Sequence, residues 1–111
     1  MNDPTQLEAG PALDVAVAER VLRLAAGQPI PLSSRSTAAA MAVVEALRQI
    51  APGAIAVAIT ATLDHEYLVE IRDYIHMQVY DARAASFPLA ACRAALAAID
   101  GLRAPVEEEE E

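Results

Sequence analysis

The chain has 111 residues, 55% of them hydrophobic, with sixteen acids against eight basic residues and a formal charge of −8. That length supports one domain around one modest core, and this apolar content excludes a mostly disordered body. Five of the acids form the run Glu107 to Glu111, leaving eleven acids against eight arginines, so neither a basic nucleic-acid face nor a strongly acidic mimic of one is expected.

Residues 1–11 combine Pro, Gly, Asn and Gln without periodicity and read as a flexible arm, with no basic residue of the kind that opens a secretory signal. From Ala12 to Ala25 the pattern turns helical, with Leu13, Val17, Val21 and Leu24 on one stripe. Gly27 and Pro29 end that helix, and Gln28 to Leu32 form a connector. Ser33, Ser34 and Ser36 then offer capping oxygens before a second helix that runs to about Ile50. Its inward residues are Ala40, Val43, Val44, Leu47 and Ile50.

Pro52-Gly53 is a stop and turn, after which a β meander is expected. Ile55, Val57 and Ile59 alternate with Ala56, Ala58 and Thr60, and Asp64-His65 supplies a turn. Glu66 to Arg72 is the second strand, with Tyr67, Val69 and Ile71 on one side. A turn at Arg72-Asp73 would lead into a third strand, Tyr74 to Tyr80, with Ile75, Met77 and Val79 on the core side and Tyr74, His76, Gln78 and Tyr80 outward. Ser86 caps a last helix in which Leu89, Cys92, Leu96 and Ile99 recur at helical spacing until Gly101 stops it. The order is ααβββα, an α+β class in which a three-stranded antiparallel meander packs with helices. One domain spans 12–103 and an acidic flexible tail spans 104–111.

The candidate sites follow from this layout. Leu68, Glu70 and Arg72 should lie beside Tyr74, His76, Gln78 and Tyr80 on the outer sheet face, next to the small residues Ala56, Ala58, Thr60 and Thr62. Tyr and Arg are enriched at interface hot spots, so this face is the expected interface, with self-association as a homodimer its commonest use. Ser33, Ser34, Arg35 and Ser36, ahead of a helix N-terminus, could hold an anion through free backbone donors. No P-loop pattern accompanies them.

His76 could serve as a base, a metal ligand or a pH-sensitive contact, but no metal-ligand spacing exists in the chain. Asp64, His65 and Glu66 are the polar residues that a tight turn requires. Cys92 lies on the apolar stripe of its helix and reads as core, and no disulfide is possible with a single cysteine. No catalytic residue, metal or cofactor is expected. With no apolar run near the roughly 18 residues of a membrane span, a soluble cytoplasmic protein is expected.

Three segments resemble the phage ABA sandwich domain. They are Asp14 to Leu22 (Asp-Val-Ala-Val-Ala-Glu-Arg-Val-Leu), Ile30 to Leu47, which includes Ser-Thr-Ala-Ala-Ala-Met-Ala-Val-Val-Glu, and Phe87 to Leu96 (Phe-Pro-Leu-Ala-Ala-Cys-Arg-Ala-Ala-Leu). Where that family carries Trp and Asp in its second helix, this chain has Met41 and Ser36. The resemblance implies a small phage or prophage protein in a bacterial host cell. It supplies no catalytic residue. The expected function is therefore non-catalytic: an accessory protein that binds a host or phage protein and itself, without direct nucleic-acid or membrane contact. The alternative is a small-ligand or nucleotide-binding inhibitor of a host defence system, of the anti-CRISPR type.

Overall fold

The computed structural model describes residues 6–25 and 27–105. Residues 1–5 of the expected arm and 106–111 of the expected acidic tail lie outside them. The element order is α1 (Pro11–Val17) with a π-helical turn (Ala18–Leu22), α2 (Thr37–Ile50), β1 (Ile55–Ala61), β2 (Tyr67–Asp73), β3 (Gln78–Ala84) and α3 (Phe87–Leu102). The strands form one antiparallel meander in the order β1-β2-β3, so the expected ααβββα arrangement is what the chain adopts.

α3 is the centre of the fold. Its faces bury Leu89, Cys92, Leu96 and Ile99 together with Ala90, Ala91, Ala94, Ala95 and Ala98. Alanine on several sides lets α2, β2, β3 and α1 all approach it closely. The inner sheet face contributes Ile55, Val69, Ile71 and Ala84, and α2 contributes Ala40, Val43, Val44 and Leu47. Two serines start the long helices: Ser36 Oγ accepts from the Ala39 N–H at 3.3 Å, and Ser86 Oγ from the Leu89 N–H at 3.4 Å. The other sheet face carries Ala56, Ala58 and Thr60, then Leu68, Glu70 and Arg72, then Val79, Asp81 and Arg83. It is the layer's solvent side.

The first helix departs from expectation at its end. It stops at Leu22 through a π-helical turn, and Arg23 adopts a left-handed φ of 54°. A tertiary clasp accounts for the stop, because the Arg103 guanidinium donates to the Arg20 carbonyl and, at 2.8 Å, to the Val21 carbonyl. Those are helix-end acceptors that would otherwise need water. Gly101 also differs, since α3 continues through it to Leu102. A Cβ at Gly101 would stand 1.9 Å from the Tyr80 hydroxyl oxygen, so glycine is required there for space and not to end the helix.

The third strand is the main correction. β2 runs on through Asp73, the turn occupies Tyr74 to Met77, and β3 begins only at Gln78. A shift of strand onset changes which residues share a face. Ile75, Met77 and Val79, expected in the core, are exposed, whereas Tyr80 faces inward and packs against the core.

Candidate functional site: the β2–β3 hairpin tip

Asp73, the last residue of β2, is buried, and its carboxylate builds the turn that follows. Oδ1 accepts from the Ile75 N–H at 2.9 Å and the His76 N–H at 3.1 Å, while Oδ2 lies 2.5 Å from His76 Nδ1. An aspartate that accepts from backbone N–H groups two and three residues on is an Asx-type turn former. Burial opposes its charge, but the His76 N–H, the His76 ring and the Ile75 N–H outweigh it and hold the carboxyl below its ordinary value of 3.8.

His76 is the keystone between this turn and the C-terminal segment. Its Nε2 lies 2.9 Å from the Ala104 carbonyl oxygen. Both ring nitrogens thus face acceptors, and only the imidazolium carries two donors. The Asp73 contact foremost, with the Ala104 carbonyl, outweighs burial and raises the His76 pKa above 6.5. A general base needs a free ring nitrogen pointing at substrate. Here both are engaged.

With Asp73 and His76 holding the turn, its remaining side chains project outward: Tyr74 is 55% exposed, Ile75 42% and Met77 76%, and Val79, the second residue of β3, is 58% exposed beside them in sequence. Met77 also adopts a left-handed φ of 54°, a conformation that costs a non-glycine residue roughly 1–2 kcal/mol. The tip is therefore a fixed loop that presents three apolar or aromatic side chains to solvent, with Val79 exposed at the start of β3.

Of the expected interface residues, Leu68, Glu70 and Arg72 do share the outer sheet face. Tyr74 and His76 belong to the turn, and Gln78 and Tyr80 fall on the inner-face register, so the seven do not form one surface. Arg72 pairs with Val79, Glu70 with Asp81 and Leu68 with Arg83. Asp81 and Arg83 were missed because the alternation in Tyr74 to Tyr80 carried the strand reading. Asp73 is a turn residue in the sequence reading, but the turn follows it through Met77, because its buried carboxylate accepts from the Ile75 and His76 N–H groups.

Of the residues expected to hold an anion, Ser33 to Ser36, two are taken up by a carboxylate of the chain itself. The buried Asp14 carboxylate accepts from the Ser34 N–H at 2.8 Å and the Ser34 hydroxyl at 2.6 Å. It also accepts from Arg35 Nη2 at 2.7 Å and Nε at 3.2 Å. Burial opposes the Asp14 charge, but the Ser34 hydroxyl, the Ser34 N–H and Arg35 prevail and lower its pKa from 3.8. Ser36 is spent on capping α2. The Ser33 hydroxyl is buried without a hydrogen-bond partner among the described residues.

The clefts lined by the described residues include two that can be weighed as ligand sites. One of about 240 Å³ is lined by Gln6, Asp81, Ala82, Arg83, Arg93 and Ala97. The other, of about 250 Å³, lies beside the π-helical turn at Ala18, Glu19, Leu24 and Gln28. Both are below the roughly 300–1,000 Å³ of small-molecule sites. Arg93 in the first is already committed, donating to the Leu7 carbonyl at 3.0 Å and lying 3.5 Å from Glu8. Cys92 is buried, and burial first, then Asp14, pushes its thiol up to about 12. Among the described residues no group of His, Cys, Asp or Glu is arranged to hold a metal ion, and no helix is long and apolar enough to cross a membrane.

No protein-family model, curated protein or solved structure matches the chain.

Proposed function

We propose that this chain is a non-catalytic accessory protein that acts by binding another protein and by self-association, with the β2–β3 hairpin tip as its partner-binding surface. The observation that carries this reading is the tip itself. Tyr74, Ile75 and Met77 stand exposed on a turn pinned by the buried Asp73, and Val79 is exposed on the strand that leaves it. Exposed apolar clusters of this kind are characteristic of contact sites, and a rigid loop loses little entropy on binding. The left-handed Met77 supports it, because glycine would satisfy the turn more cheaply and would present no side chain. The resemblance of the helices to a phage domain supports a phage or prophage setting, with a host or phage protein as the partner.

The test pairs wild type with a Tyr74→Ser, Met77→Ser variant in affinity capture from bacterial lysate, read by mass spectrometry. The variant should keep the wild-type melting temperature and lose the proteins that wild type retains specifically. An identical set of retained proteins for both would overturn the role of the tip. Light scattering over a dilution series tests self-association separately.

A further inference from the structure

We infer that β1 is the strand through which two copies of this chain join, antiparallel about a two-fold axis at Ala58, into one continuous six-stranded sheet. The inference rests on the self-association part of the reading above and gives it a surface.

The backbone bonding pattern carries the argument. The Tyr74 N–H donates to the Ala54 carbonyl at 2.9 Å and the Thr62 N–H to the Glu66 carbonyl at 2.8 Å, at the two ends of the β1–β2 register. In an antiparallel ladder bonded pairs alternate, so Ala56, Ala58 and Thr60 are spent on β2. Ile55, Val57, Ile59 and Ala61 direct their N–H and C=O groups away from the sheet. None of these four has another hydrogen-bond partner among the described residues.

The two edges of the sheet differ in protection. By the same alternation, β3 directs Val79, Asp81 and Arg83 at its free edge, and edge charges oppose strand addition. β1 reads Ile-Ala-Val-Ala-Ile-Thr-Ala, with no charge, proline or glycine. A long, uncharged, β-branched edge is a template for pairing.

The occupant is a second β1 because the segment complements itself. Centring the two-fold on Ala58 sets Val57 opposite Ile59 of the other copy and Ile55 opposite its Ala61, so every outward backbone group meets a partner. These side chains share the inner face, where Ile59 is 45% exposed in the single chain. The same register sets Ala56 opposite Thr60 and Ala58 opposite Ala58 on the other face, all small. An unrelated peptide would use the same backbone groups; the match on both faces favours a second β1.

Cross-linking and exchange test the register in the full chain. In the proposed register the Ala58 pair has Cα atoms about 4.5 Å apart, within disulfide range. Ala58→Cys should therefore oxidise to a covalent dimer. Ala56→Cys should not, because its twin lies four strand residues away, about 13 Å. The buried Cys92 does not compete. The Val57 and Ile59 amides should exchange more slowly as concentration rises, while Ala56, Ala58 and Thr60 stay protected throughout.

Ile59→Pro removes an outward donor without touching the bonds to β2, and should halve the mass seen by light scattering at unchanged circular dichroism. Ile59→Lys should do the same should proline strain the strand. A wild-type chain that is monomeric at every concentration overturns both this inference and self-association. An oligomer that survives both Ile59 variants, with no Ala58→Cys dimer, overturns only the β1 interface.

Discussion

His76 Nε2 and the Ala104 carbonyl, 28 residues apart, meet at 2.9 Å while the other ring nitrogen is held by Asp73. The arrangement ties the β2–β3 hairpin to the segment after α3. It also sets a pH dependence. A histidine whose pKa is raised on folding stabilises most when protonated in both states, below about 6.5, and this contribution is lost as pH rises through the folded value. Urea denaturation of wild type should show stability declining above pH 6.5, and His76→Gln should flatten that decline. An unchanged slope in the variant would refute the linkage.

The acid side carries the opposite sign. Asp14 and Asp73 both titrate below 3.8 in the folded chain, so their contributions are present above that value and lost as pH falls through the folded pKa values. Asp14→Ala leaves the buried Ser34 N–H without an acceptor, at about 1–3 kcal/mol, while the Ser34 hydroxyl keeps as a donor only its 3.4 Å contact with the Gly10 carbonyl. Denaturant midpoints should show this loss at pH 7 and a smaller one at low pH.

Ser33 gives a prediction of the reverse direction. Its hydroxyl is buried without a partner among the described residues, so Ser33→Ala removes a desolvated polar group and loses no bond. Stability by thermal melt should be unchanged or raised, in contrast to Ser34→Ala, which severs the hydroxyl bond to Asp14.

Gly101→Ala should destabilise despite alanine's roughly 1 kcal/mol advantage in helix propensity. The new methyl would meet the Tyr80 hydroxyl oxygen at 1.9 Å and its ring carbon at 2.8 Å. Overpacking of this kind costs about 1–3 kcal/mol. Combining it with Tyr80→Phe, which removes the nearer atom, should recover part of the loss in a double-mutant cycle.

Cys92 should be inert in the native state. With its thiol at about 12 and its side chain buried, a thiol reagent at pH 8 should label it only in denaturant. Native labelling at the denatured rate would contradict the buried placement.

The elements whose patterning is local were legible in the residues alone. Ser36 and Ser86 announced both long helices, the apolar stripes of α2 and α3 identified their buried faces, and Pro52-Gly53 and Asp64-His65 marked the turns flanking β1. These signals work because capping, periodicity and turn chemistry act within a few residues. The onset of β3 was not legible. The alternation from Tyr74 to Tyr80 is a valid strand pattern, and it was overridden by the buried Asp73, which turns the chain back on itself. Tertiary structure alone also decided that Asp14 takes up Ser34 and Arg35, that Tyr80 lies against Gly101, and that Arg103 ends the first helix. Each of these joins residues at least twenty positions apart. A pattern records which face a side chain takes within its own element, and only packing brings distant faces together.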